Sequence, residues 1–282
     1  MKKQQLFVVA GGLFLLILLF FFGNQIPPPK PIQKNTTKEN TEEKPSISTE
    51  KLITHAKEKL NPSELQYVIS LENSVKRGDV KNQQIKAYKQ LAAFWKDTVQ
   101  LFIPYAYYTS EAAKLENSEK SLTFAAHLFL SNLQTEPQPA MQNWLATNAK
   151  VLFEKSLVIN PDNDSSKVGL GSCYLFGNIS DNPMEGIRMI RNVVEQNPNN
   201  LFAHMMLGLG GIKSGQIDKA IEHFKFITEK QPNNVEAALN LAEAYDRHGD
   251  KADAVKWYQV VKGLVNNPEA QKELDNRIKA IK

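Results

Sequence analysis

Residues Leu201–Asn234 read LFAHMMLGLGGIKSGQIDKAIEHFKFITEKQPNN, and the residues that follow repeat their grammar. The period is about 34 residues, split into two helices, as in a helical-hairpin solenoid. The first copy carries Leu207-Gly208, a turn at Gly215, then Ala220, Phe224 and Ile227, and a stop at Pro232. The second carries Leu241-Ala242, Tyr245, Gly249, Ala254, Tyr258 and Val261. One hairpin cannot bury such a stripe on its own, so stacked neighbours must complete the core. Gly208, Ala220, Ala242 and Ala254 let helices cross closely, while Phe224, Ile227, Tyr258 and Val261 fill the remaining space. Gly215 and Gly249 stand where a left-handed residue ends a helix. Pro232 cannot continue the hydrogen-bond ladder.

This pattern resembles the tetratricopeptide-repeat family. The resemblance implies an all-α fold, a right-handed α-solenoid whose inner helices line a concave surface for peptides or partner helices. Carried over position by position, it points to Phe202, Met205, Leu209, Ile212 and Lys213 in one repeat. The next repeat contributes Glu236, Asn240, Glu243, Asp246 and Arg247. Met205 is the favoured contact, since unbranched methionine suits an adaptable surface. The competing reading makes Phe202, Met205 and Leu209 core and the charges a solvated face. Family members that clamp a C-terminal carboxylate use Lys and Asn where this chain has Met205 and Leu209, which argues against such a clamp.

The repeats extend upstream. Leu170-Gly171-Ser172-Cys173-Tyr174 matches an inner helix, and a longer loop, Phe176–Asn182, precedes an outer helix opened by Pro183. Gly186 there, in place of alanine, costs about 1 kcal/mol of helix stability. Residues 161–267 thus hold three hairpins, and 268–282 a closing helix with Leu274, Ile278 and Ile281 turned to the stack. Residues 49–160 read as a degenerate helical region. Asn61-Pro62-Ser63-Glu64 starts a helix that ends near Arg77-Gly78-Asp79. Another helix spans Asn82–Val99. Pro104–Leu115 and Glu119–Leu133 are expected to pair, with Ala112, Ala113, Ala125 and Phe129 at the crossing. Met141–Ile159 is an outer helix, and an insertion or an unpaired helix is expected around Glu136–Gln142.

Residues 1–23 form a different kind of segment. Lys2 and Lys3 precede Leu6–Phe22, about 17 uncharged residues and roughly 25 Å of helix, the short end of a membrane span. The apolar run ends in Phe20-Phe21-Phe22, without the small residues of a cleavage site, so a retained anchor is expected. Residues 24–48 contain Pro27-Pro28-Pro29-Lys30-Pro31 and a Lys/Glu/Thr/Asn run, a spacer with too little apolar surface to fold. Lys2 and Lys3 before the apolar run favour a body outside the cytoplasm, in a bacterium the periplasm, against the opposing Lys30, Lys34 and Lys38 on the other flank.

Catalytic signatures are missing. The five histidines are scattered, and no HExxH, GxSxG or phosphate-binding glycine loop occurs. Cys173 is the single cysteine and falls in an apolar helix, so it reads as a buried structural thiol. The net charge of +4 comes without a block of Lys or Arg, which speaks against nucleic acid. No cofactor, metal or small-molecule substrate is expected. The sequence reads as an inner-membrane-anchored scaffold that captures an unidentified protein or peptide. An accessory assembly factor for an envelope or cytochrome complex is the alternative, and an enzyme with a site in 49–138 the remote one.

Overall fold

The computed structural model describes residues 47–77, 80–180 and 182–281. Among them the chain forms thirteen α-helices and no strand. These are α1 (Thr49–Lys57), α2 (Pro62–Arg77), α3 (Lys81–Ala93), α4 (Phe102–Glu116), α5 (Glu119–Leu133), α6 (Pro139–Ile159) and α7 (Asp164–Phe176). Then come α8 (Met184–Gln196), α9 (Leu201–Ser214), α10 (Ile217–Lys230), α11 (Val235–His248), α12 (Lys251–Leu264) and α13 (Pro268–Ile281). The expected anchor Leu6–Phe22, the spacer as far as Ser46, and Gly78-Asp79 lie outside the described residues. No helix among the described residues is long and apolar enough to cross a membrane.

Four hairpins follow one another: α5–α6, α7–α8, α9–α10 and α11–α12. Their first helices also touch in succession, α5 on α7, α7 on α9 and α9 on α11, and no comparable contact joins the second helices. The first helices therefore line the inner side of the bend. Each begins in the same way. The side chains of Ser118, Asn163, Asn200 and Asn234 accept the N–H of Ser121, Ser166, Ala203 and Ala237 at 3.2, 2.8, 3.0 and 2.9 Å. Each cap satisfies a donor that the first turn leaves free.

This start identifies α5 as a first helix, which corrects the expected pairing. Glu119–Leu133 packs most extensively on α6, not on α4, and 134–138 is the turn between them. The reason lies in the seam: Ala125, Ala126, Ala146 and Ala149 are all fully buried and bring α5 and α6 into close contact. No unpaired helix remains at Glu136–Gln142.

Glycine works the same way further on. A Cβ on Gly186 would fall 2.2 Å from the Gly171 carbonyl oxygen, so α7 and α8 cross where neither residue has room for a side chain. A Cβ on Gly208 would meet the Phe224 ring at 2.5 Å. Gly215 and Gly249 adopt φ of +74° and +96° and end α9 and α11 in the left-handed region. At the far end Leu274, Ile278 and Ile281 of α13 bury against Ala238, Ala242, Tyr258 and Val261.

The first four helices have a core of their own. Val68, Leu91, Trp95 and Tyr108 anchor it, joined by Ile53 and Ala56 of α1. The helix expected over Asn82–Val99 has that extent but not that regularity. After Ala93 it widens into a π-helical turn, Phe94–Thr98, that carries the fully buried Trp95. Asn61 and Glu64 form a capping box at the start of α2, exchanging backbone and side-chain bonds of 3.0 Å in both directions.

Candidate functional site

Between the ends of the first helices lies a cavity of about 450 Å³. Its apolar lining comes from Leu133 of α5, Phe176 of α7, and Leu209 and Ile212 of α9. Gln134, Thr135, Gln142, Lys213, Glu236 and Asn240 supply the polar lining. A volume of this size holds one or two side chains of a peptide.

The polar groups have a direction. Gln142 Nε2 donates to the Glu136 carbonyl at 2.6 Å, and Asn240 Nδ2 donates to the Glu236 carbonyl at 2.9 Å. Because carbonyls only accept, these bonds fix the amide orientation. Gln134 Nε2 donates to Met206 Sδ at 3.2 Å. The three carboxamide oxygens accept nothing from the described residues and remain available to donors. Lys213 supplies the opposite character. Its Nζ donates to the Leu175 carbonyl at 3.1 Å and lies 5.5 Å from the centre of the Phe176 ring. Burial holds this ammonium below the usual lysine range, and no carboxylate among the described residues pairs with it.

The residues expected from sequence divide here. Leu209, Ile212, Lys213, Glu236 and Asn240 come together in the cavity. Phe202 lies elsewhere on the inner helices, half-buried, its ring edge-on to His127 at 5.4 Å between centroids. Glu243 is tied to Arg277 of α13 at 2.9 Å and serves the cap. Asp246 and Arg247 are exposed near the end of α11 and are not among the lining residues. Met205, the favoured contact, is 7% exposed and packs in the main core, and it is not among the residues lining the cavity.

Sequence reading missed Leu133, Gln134, Thr135, Gln142 and Phe176. A signal for Phe176 was present. It stands thirteen residues after the capping Asn163, as Lys213 does after Asn200 and Arg247 after Asn234. His127 stands nine after Ser118, as Leu209 does after Asn200. His127 Nε2 lies 2.7 Å from Ser165 Oγ and joins α5 to α7, with burial lowering its pKa.

Two further histidines meet that sequence reading kept apart. His204 Nδ1 and His223 Nδ1 are 3.0 Å apart, and His204 Nε2 is 3.0 Å from the Pro198 carbonyl. The carbonyl requires the His204 proton on Nε2, so His223 donates to His204. Burial, then His204 and Arg191, push His223 down to about 4. Cys173 is fully buried, and burial raises its thiol pKa far above the ordinary value. No cluster of metal-binding side chains forms among the described residues.

Residues 212–274 match the tetratricopeptide-repeat family. Among solved structures, MamA residues 41–end from Desulfovibrio magneticus RS-1 is 21% identical, with 66% of this chain and 96% of that one covered and a TM-score of 0.44. YrrB, described as a TPR protein with an unusual peptide-binding site, is 16% identical, with coverages of 74% and 97% and a TM-score of 0.43. Pseudomonas aeruginosa PilF is 14% identical, with coverages of 71% and 85% and a TM-score of 0.46.

Proposed function

With tetratricopeptide repeats in residues 212–274 as the premise, we propose that this protein is a scaffold without chemistry of its own. It holds an extended peptide segment of a partner protein on its inner helices. The observation that carries this reading is the cavity of Leu133, Phe176, Leu209 and Ile212 with the unbonded carboxamide oxygens of its lining. An apolar side chain of the peptide fills the floor, its main-chain N–H groups donate to the carboxamides, and Lys213 takes a neighbouring acidic group. A groove that grips main chain and one or two side chains suits a binding module rather than a turnover site.

The N-terminal segment gives the scaffold a place. In this reading Leu6–Phe22 anchors the chain in the inner membrane, residues 24–48 hold the body away from the bilayer, and the body works in the periplasm. What supports it is the uncharged apolar run followed by a polar spacer.

The test is selection of peptides from a displayed library on the purified full-length chain. The selected peptides should carry an apolar residue beside an acidic one, and Ile212→Glu should weaken them by about tenfold or more while thermal unfolding is unchanged. Peptides that bind Ile212→Glu as well as the parent would overturn the groove assignment. A reporter fused after Lys282, inactive on the periplasmic side, would overturn the orientation if it were active.

A further inference from the structure

The largest cavity among those described lies outside the groove, between α1, α2, α3 and α4, and measures about 700 Å³. We propose that it is a receptor for an organic cation, the guanidinium or ammonium of a basic side chain on a partner protein. Three tyrosines line it, Tyr88 of α3 and the adjacent Tyr107 and Tyr108 of α4, together with the carboxylates of Glu72 and Glu111. Tyr107 and Tyr108 meet edge to face with centroids 5.1 Å apart, and Tyr88 lies tilted at 6.3 Å from Tyr108. Aromatic faces beside carboxylates attract cations through the ring quadrupole and the charge together.

The walls are held in place before any ligand arrives. Tyr108 donates its hydroxyl to Glu72 Oε1, while Lys57 donates to Glu72 Oε2 at 2.6 Å. Lys114 donates to Glu111 Oε1 at 2.6 Å, and no bond occupies the second Glu111 oxygen. The Tyr88 and Tyr107 hydroxyls likewise have no hydrogen-bond partner among the described residues. A guanidinium lying on the rings thus finds a carboxylate oxygen and two phenol oxygens to donate to.

Lys57, Lys76 and Lys114 also line the cavity, and Lys57 and Lys114 are each bonded to one of the two carboxylates. Burial, then Glu111 and Glu72, raise the Tyr88 pKa, and burial, Glu111, Tyr88 and Glu72 push Tyr107 up to about 12. Beside the phenols, the open oxygen of Glu111 and the two phenol oxygens offer acceptors, which suit a cationic donor and not an anion. The cavity volume holds a basic side chain with its aliphatic stem and the flanking main chain.

Binding is read by NMR on the full-length chain with ring-labelled tyrosine. The probes are acetyl-Ala-Arg-Ala-amide, its Lys and Glu counterparts, and choline, each up to about 20 mM. The Arg and Lys peptides should shift the Tyr88, Tyr107 and Tyr108 signals saturably, the Glu peptide should not, and Glu111→Gln should weaken binding by about fivefold or more. Tyr107→Phe keeps the ring but removes one phenol acceptor, so it should weaken the Arg peptide by less than Glu111→Gln does, and an unchanged unfolding midpoint in both variants separates loss of the site from loss of fold. Ile212→Glu, in the groove, should leave these shifts unchanged. Equal shifts from the Glu peptide, no shift from any probe, or unaltered binding in Glu111→Gln would overturn the proposal. Binding of choline with none by the peptides would overturn the protein partner as its source.

Discussion

The stack from α5 to α12 and the region from α1 to α4 are both all-helical, yet different forces hold them together. In the stack the helices meet at alanine and glycine seams, and each first helix begins with one capping side chain. Between α1 and α4 the space is filled by tyrosines and a tryptophan, one helix widens into a π turn, and the Trp95 indole N–H is buried with no partner among the described residues. Small residues at fixed intervals dictate one crossing distance and so one repeating geometry. Large aromatic side chains impose no such interval, and they leave the wider gaps in which the larger cavity lies.

The largest effect should separate the two cores. Phe224, fully buried against Gly208, fills a seam, and Phe224→Ala should cost about 3–5 kcal/mol in urea unfolding. Trp95→Phe should cost much less, because the indole N–H it removes is itself buried at a penalty of about 1–3 kcal/mol. Equal losses would mean that the first four helices are packed as tightly as the stack.

Gly186→Ala tests the seam from the opposite direction. Helix propensity alone favours the alanine by about 1 kcal/mol. The added carbon would lie 2.2 Å from a carbonyl oxygen, so net destabilisation of about 1–3 kcal/mol is expected from the unfolding midpoint. A gain in stability would show that α7 and α8 separate at little cost.

The smallest effect concerns pH and reports on the α9–α10 hairpin, where two of the three histidines with lowered pKa meet. Folding lowers the pKa of both His204 and His223, the latter to about 4, so the folded state resists their protonation. Their contribution is complete above the ordinary histidine pKa near 6.5 and is lost as pH falls from there toward 4. Melting temperature should therefore drop between pH 7 and pH 5 by less in His223→Gln than in the parent. An identical drop would remove the pair from the pH response.

The three hairpins from 161 to 267 were legible because their small and large residues recur at helical intervals. The hairpin α5–α6 was harder to see. Its cap is Ser118 rather than asparagine, and the alanines of α4 offered α5 a second plausible partner in sequence. Half of the expected groove residues came together, since positions carried over from the repeat pattern keep the helical spacing that sets side-chain direction. Met205 was favoured for the adaptability of its side chain, a property that does not tell a surface position from a core one, and it lies in the core.

By itself the sequence determined the helical hairpins, their turns at Gly215 and Gly249, and the closing helix α13. Periodicity and backbone freedom are local properties that can be read along a chain. Only the tertiary structure decided that Gln134, Gln142 and Phe176 meet Leu209, that His204 bonds His223, and that three tyrosines share a cavity with Glu72 and Glu111. Those meetings depend on how far one helix turns against the next, and that angle is set by the packing of residues distant in sequence.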